Sequence, residues 1–225
     1  MLVLALESSA KPASAAVYET SGKLLGQYFQ NNGFSHSRTL LAMTQSLMKN
    51  LEITLSEIGL IAVASGPGSF TGVRIGVSAA KGLAWGLDIP VCGVSTLEAM
   101  AYQIPGHDGI ICPVMDARRS QVYNSLFECC KGKLTRLCDD RAISLADLAA
   151  DLRSFSTRIL LVGDGLAVCK EYPELSGYDS AEGLLHYQTA YGVALAAVNA
   201  EPVSAVQLEP CYLRPSQAER EYKAR

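Results

Sequence analysis

Ser65-Gly-Pro-Gly-Ser-Phe-Thr-Gly-Val-Arg-Ile-Gly76 follows a strand-like run, Leu60–Ser65, and opens a helical stretch from about Gly72 to Leu87. A glycine loop in that position exposes backbone N–H groups at a helix N-terminus, where they can hold an anion. Three enzyme templates fail against it. A Walker A loop ends in Gly-Lys-Ser/Thr, whereas Gly72 is followed by Val73. A dinucleotide fingerprint reads Gly-x-Gly-x-x-Gly, and the spacing of Gly66, Gly68 and Gly72 is one residue longer. A nucleophile elbow needs glycines two before and two after its serine, and Ser69 has Pro67 and Thr71 there. A steric reading remains. Gly72, Gly76, Ala80 and Ala84 recur every four residues, a small-residue stripe that lets another backbone come close. Glycine inside a helix costs ~1 kcal/mol relative to alanine, so Gly76, Gly82 and Gly86 call for close packing in return. For the helix, packing outweighs phosphate binding; the loop itself stays open between the two.

Outward from this segment, period-2 and short apolar runs predict strands at Leu2–Glu7, Ser14–Thr20 and Leu24–Gln30, with Ser21–Gly22 turning the last two into a hairpin. Leu40, Leu41, Thr44, Leu47, Met48 and Leu51 then follow one face of a 3.6-residue period, behind a serine cap at Ser35 or Ser37. After the glycine-loop helix, Asp88-Ile-Pro90 leads into a short strand, Val91–Val94. The second half repeats this order. Ile110–Asp116, Gln121–Glu128 and Lys133–Cys138 are strand-like, Ser144–Arg153 is helical, Ile159–Val162 is a strand ended by Gly163-Asp-Gly165, and Gly183–Asn199 reads as an apolar helix. Strand, strand, strand, helix, strand, helix appearing twice predicts two related α/β units, residues 1–104 and 105–225. The junction falls at Gln103–Gly109, and Glu209–Arg225 reads as a frayed polar tail.

Composition narrows the classes. The 225 residues carry a net charge of −3, with 18% charged and 49% hydrophobic, which excludes a disordered chain. The lack of a basic excess argues against a chain that grips nucleic acid alone. Mean hydropathy is +0.17, yet the uncharged run Ile58–Val73 is broken by glycines. Gly183–Ala200 carries His186, Gln188, Thr189 and Asn199, so neither run reads as a membrane span. Met1–Leu6 is apolar but has no basic residue ahead of it and Glu7 directly behind, so no secretory leader is expected. Seven cysteines, without a C-x-x-C pair, point to reduced thiols in the cytoplasm and not to a disulfide framework or zinc site.

Gly66–Gly76, Leu4-Ala-Leu-Glu-Ser-Ser9, Asp116-Ala-Arg-Arg-Ser-Gln-Val-Tyr123 and Tyr212-Leu-Arg214 together resemble the TsaB family, over nearly the whole chain. That resemblance implies two ribonuclease-H-like units in the actin/hexokinase/Hsp70-like (ASKHA) architecture, with the second unit reduced. It also implies a role in forming N6-threonylcarbamoyladenosine at position 37 of tRNAs that read codons starting with A. The family resembles a degenerate relative of the catalytic subunit TsaD, with which it pairs, and a small ATPase, TsaE, joins them. ATP and a metal then belong to the partner subunits and none to this chain. The catalytic relatives carry a His-x-x-x-His metal pair; the matching positions here are Thr96 and Met100, which do not replace imidazole. Glu7-Ser-Ser9 also lacks the glycine that lets a phosphate approach the first loop of the wider fold.

Candidate sites follow from these readings. Asp116 and Arg118, with Arg119, are residual candidates for a nucleotide contact, weighed against a plain turn in which Asp116 satisfies local N–H groups. The expected partner face comprises Leu41, Met43 and Thr44 on the first helix and Gly72, Ile75, Gly76 and Ala79 on the second. With the resemblance, these residues imply a non-catalytic scaffold that binds TsaD directly, with tRNA contact mainly through TsaD. An apolar face awaiting that partner can also pair with a second copy. Two rival classes stand beside it. One is an enzyme, either a nucleotide-dependent transferase or an endopeptidase acting on TsaD; the endopeptidase would have to combine Ser69, His36 and Asp116, with no supporting motif. The other is an independent tRNA-binding module.

Overall fold

A computed structural model describes residues 1–104 and 106–214. The last part of the expected tail, 215–225, lies outside the described residues. The chain opens with β1 (Leu2–Glu7), β2 (Ala13–Glu19), β3 (Lys23–Gln30), α1 (His36–Asn50), β4 (Ile58–Gly66), α2 (Phe70–Leu87) and β5 (Val91–Ser95). These strands form one sheet in the order β3-β2-β1-β4-β5, antiparallel at β1–β2 and β2–β3 and parallel at β1–β4 and β4–β5. Alternation along β1 divides its side chains between two cores. Leu4 and Leu6 meet Leu40 and Leu47 of α1 and Val73 and Val77 of α2, while Val3 and Ala5 face the other way. A strand buried on both faces reads as a continuous apolar run, as β1 does.

The second half contains α3 (Thr96–Tyr102), β6 (Gly109–Arg118), β7 (Gln121–Asn124), β8 (Phe127–Cys130), β9 (Lys133–Arg136), β10 (Arg141–Ser144) and α4 (Leu145–Leu152). It continues with β11 (Ile159–Val162), α5 (Leu166–Lys170), α6 (Pro173–Ser176), β12 (Asp179–Ser180) and α7 (Ala190–Ala197). Its sheet runs β10-β7-β6-β11-β12, with β8 pairing on β6 and β9 on β8. The expected single strand Gln121–Glu128 is two strands. The ten-residue β6 pairs β7 along Val114–Arg118 and β8 along Gly109–Ile111, so the chain changes position at Ser125–Leu126. Asn124 holds that step by donating to the carbonyls of Pro113 and Ser125.

Two helices differ from the expectation. Thr96–Tyr102 is helical, capped by Ser95 accepting from the Glu98 N–H, and packs Leu97, Met100 and Ala101 against Ile111, Met115 and Phe127 of the second sheet. The apolar stretch Gly183–Asn199 yields only α7, after a 3-10 turn at Gly183–His186. Thr189 caps α7, and its side chains pack on the first sheet with Val3, Ala5 and Ala16. A helix apolar all round has to be buried. The 105–225 unit therefore does not hold all of its own residues: the two sheets divide near residue 104, but the chain returns to the first lobe at α7.

Candidate functional site

The glycines of the 65–76 segment lie against the β1–β2 turn. A Cβ at Gly68 would stand 2.4 Å from the Ser9 carbonyl oxygen, and one at Gly72 would stand 2.1 Å from that of Ser8. At Gly76 it would stand 2.6 Å from Ser8 Oγ. The Ser69 N–H donates to the Ser9 carbonyl at 2.6 Å, and Ser8 Oγ donates to the Gly72 carbonyl at 2.9 Å. The loop left open by sequence is thus packed on Ser8 and Ser9. Ser69 caps α2, its hydroxyl oxygen accepting from the Gly72 N–H.

A cleft of about 890 Å³ opens between the lobes, lined by Ser9, His36, Ser69, Asp116, Asp164 and Tyr212 among others. Two residues before Ser9, the fully buried Glu7 accepts a 2.6 Å hydrogen bond from the Ser9 N–H on Oε1, while Oε2 has no partner among the described residues. Burial pushes this carboxyl up to about 7; hydrogen bonds from Ser9 oppose the rise and the charge of Asp164 adds to it. Burial also raises Asp164, against a 3.0 Å hydrogen bond donated by Gln188.

Ser69, His36 and Asp116 all reach this cleft but are engaged separately. Ser69 caps α2, His36 Nε2 lies 2.8 Å from the Ala10 carbonyl oxygen, and Asp116 Oδ1 accepts from the Arg118 N–H at 2.7 Å. Asp116 stabilises the β6–β7 turn, where Arg118, Arg119 and Ser120 all have positive φ. Arg118 is exposed. Thr96 and Met100, at the metal-pair positions, are buried in α3, and Met100 packs in the interlobe core. Among the described residues, no group of three or more His, Cys, Asp or Glu is placed to hold a metal ion. All seven cysteines are free, and no described helix is long and apolar enough to cross a membrane.

The expected partner face is divided by the structure. Met43 and Thr44 are buried in the first core, and Gly72 and Gly76 point at Ser8, so these four are not available to a partner. The small-residue stripe serves the chain's own sheet. Leu41, Ile75 and Ala79 instead come together along a groove of about 600 Å³ between α1 and α2. Leu41 is 50% exposed and supplies its apolar ridge.

Sequence reading missed the contacts of the tail. The Cys211 N–H donates to the Ser65 carbonyl at 2.7 Å, Tyr212 stacks on Phe70 with ring centroids 4.7 Å apart, and Arg214 donates to the Ala117 carbonyl at 2.7 Å. Arg74 joins the stack 3.9 Å over the Phe70 ring and donates to Tyr212 Oη. Residues 211–214 therefore bridge α2 to the second sheet. The alternation Cys-Tyr-Leu-Arg among polar neighbours was the available signal.

Two sheets with antiparallel and parallel strands in the same lobe, facing each other across a cleft, define an ASKHA-type α/β protein. The (R)-2-hydroxyglutaryl-CoA dehydratase component A from Acidaminococcus fermentans shares the fold, with a TM-score of 0.51 at 10% identity over 89% of this chain and 97% of that one. The profile of the TsaD family, tRNA N6-adenosine threonylcarbamoyltransferase, matches residues 32–201. A Bacillus subtilis (strain 168) relative named tRNA threonylcarbamoyladenosine biosynthesis protein TsaB is 32% identical over 99% of this chain and 98% of its own length. A solved Pseudomonas aeruginosa structure, described as similar to the peptidase YeaZ, superposes with a TM-score of 0.81 at 26% identity, covering 95% of this chain and 99% of that one. The chain belongs to the TsaB family, within the broader TsaD-type group, and to tRNA threonylcarbamoyladenosine biosynthesis.

Proposed function

We propose that this chain is a non-catalytic scaffold of the complex that forms N6-threonylcarbamoyladenosine at position 37 of tRNA, and that it binds the TsaD subunit directly. The observation that carries the reading is the exposed apolar groove of Leu41, Ile75 and Ala79, next to a glycine loop committed to its own β1–β2 turn. ATP and the metal belong to partner subunits, TsaE joins the pair in the cytoplasm, and TsaD makes most of the tRNA contact. The separate engagements of Ser69, His36 and Asp116 weigh against the endopeptidase reading, and the net charge of −3 weighs against a stand-alone tRNA binder.

The test is calorimetric titration of the chain into TsaD. The native chain is expected to bind, and Leu41→Asp or Ala79→Arg to abolish binding while circular dichroism and melting stay native. Unchanged binding by both variants overturns the groove as the interface. ATP or protein hydrolysis by the purified chain alone overturns the scaffold reading.

A further inference from the structure

The chain passes between its lobes twice, outward through α3 and back through residues 187–189 into α7. Two lobes joined in this way ordinarily move against each other by flexing at the crossings. Here the crossings are bonded to each other. Gln103, buried at the end of α3, donates through Nε2 to the carbonyls of Leu185 at 3.2 Å and Tyr187 at 2.6 Å. Both of its amide hydrogens are thereby used. Its Oε1 accepts from Thr189 Oγ1 at 2.8 Å, and the same Thr189 oxygen caps α7 by accepting from the Gly192 N–H at 3.3 Å. A Cβ on Gly192 would stand 2.3 Å from the Ala99 carbonyl oxygen, so α7 lies on α3 at backbone contact.

The start of α3 is held by charge. Ser95, its cap and the last residue of β5, donates to Asp140 Oδ2 at 2.5 Å. Arg136 of β9 forks between two carboxylates, with Nη2 2.8 Å from Glu98 Oε2 on α3 and Nη1 2.6 Å from Asp140 Oδ1 ahead of β10. Nη1 also donates to Ser125 Oγ at 3.0 Å, and the guanidinium lies 4.7 Å from the centroid of the Phe127 ring. Because Ser95 Oγ accepts from the Glu98 N–H, Ser95, Asp140, Arg136 and Glu98 form a closed ring across the lobe boundary. The Asp140 side chain is only 14% exposed, whereas the Arg158–Asp179 pair inside the second lobe is 73% and 60% exposed and weak for that reason.

We infer that α3 is an interlobe lock: fixed at its start by the Arg136 ring and at its end by Gln103, it holds the two lobes in one orientation and the cleft at one width. The inference concerns this chain alone and does not depend on the proposed scaffold function. A single tie would leave a pivot. Two ties at opposite ends of a seven-residue helix, about 10 Å apart, remove it. Hinging at the start strips Glu98 and Asp140 of their shared cation, and hinging at the end leaves a buried amide without partners.

The experiment measures one distance between the lobes by pulsed electron paramagnetic resonance. Spin labels are attached through p-acetylphenylalanine in place of Lys49 on α1 and Arg153 after α4, both exposed, which leaves the seven cysteines untouched. The full-length chain is diluted with unlabelled chain so that only distances within one molecule register. The native chain is expected to give a single narrow distribution. Arg136→Met and Gln103→Leu are each expected to widen it at least about twofold, and Arg136→Lys, which keeps the cation without the fork, to fall between. Arg158→Met, which breaks only the exposed pair, is expected to match the native chain. Melting curves are recorded for every variant. A native distribution that is broad or has two peaks overturns the lock. So does a distribution that stays native in both Arg136→Met and Gln103→Leu while melting falls, since the two clusters then stabilise the chain without fixing its lobes. If those two variants do not fold, the native chain and Arg136→Lys still decide: a lysine variant as narrow as the native chain overturns the lock.

Discussion

Ser8 and Gly72 are held together twice. The Ser8 hydroxyl donates to the Gly72 carbonyl at 2.9 Å, and the Ser8 carbonyl oxygen lies 2.1 Å from the point a Cβ on residue 72 would occupy. That approach seats α2 on the β1–β2 turn and fixes the angle at which its outer side, with Ile75 and Ala79, meets α1.

Gly72→Ala is therefore expected to destabilise the chain by about 3 kcal/mol, since the colliding atom is the backbone carbonyl oxygen of Ser8, which cannot swing aside as a side chain would. Gly82→Ala, on the same helix, is expected to stabilise it by about 1 kcal/mol, because a Cβ there meets nothing within 4 Å. Urea denaturation of the isolated chain separates the two signs.

Glu7→Gln is expected to raise stability at alkaline pH. The native carboxyl shifts from 4.5 to about 7 on folding, so the folded state binds the proton more tightly than the unfolded one. Its stabilising contribution is complete below about 4.5 and is lost as pH rises towards 7. The glutamine variant avoids that loss, with a gain of up to about 3 kcal/mol near pH 8 that vanishes by about pH 4. Melting temperatures measured across this range check the slope; a gain that grows on acidification contradicts the assignment.

Tyr212→Ala is expected to lower stability by about 1 kcal/mol and to expose residues 209–214 to protease, through loss of the Phe70 stack and the Arg74 hydrogen bond. Tyr212→Phe retains the stack and is expected to recover most of the protection. Hydrogen exchange at the Cys211 amide, which is bonded to the Ser65 carbonyl, provides a direct readout.

Ser69→Ala is expected to cost about 1 kcal/mol as the loss of an N-cap, and Ser69→Asp to restore stability. A serine acting as a nucleophile would not be replaced by aspartate without loss of activity in the assembled complex. Paired measurements of melting and of tRNA modification distinguish the roles.

Much of the first lobe was legible in the linear pattern because its elements are long and strongly periodic. Leu2–Glu7 alternates between two cores, and Leu40, Leu47, Val73 and Val77 repeat at helical spacing. The second lobe was less legible. Its strands are short, and the break between Asn124 and Phe127 depends on where the long β6 finds two different neighbours. Helix α3 was missed because its seven residues sit in an apolar sandwich where tertiary packing dominates the pattern.

Sequence alone determined the doubled α/β order, the failure of the phosphate-loop templates and the absence of paired histidines, because each depends on which residues are present and how they are spaced. Only the tertiary structure decided which face of each helix is free. Helical periodicity marks an apolar stripe without naming what covers it, so Met43, Thr44, Gly72 and Gly76 seemed as available as Leu41, Ile75 and Ala79. Packing on the sheet buries the first four and leaves a groove at the other three, because long-range contacts with Ser8 and the first core set the rotation of each helix. The same long-range packing returns α7 to the first lobe and brings Tyr212 onto Phe70, contacts that no local spacing specifies.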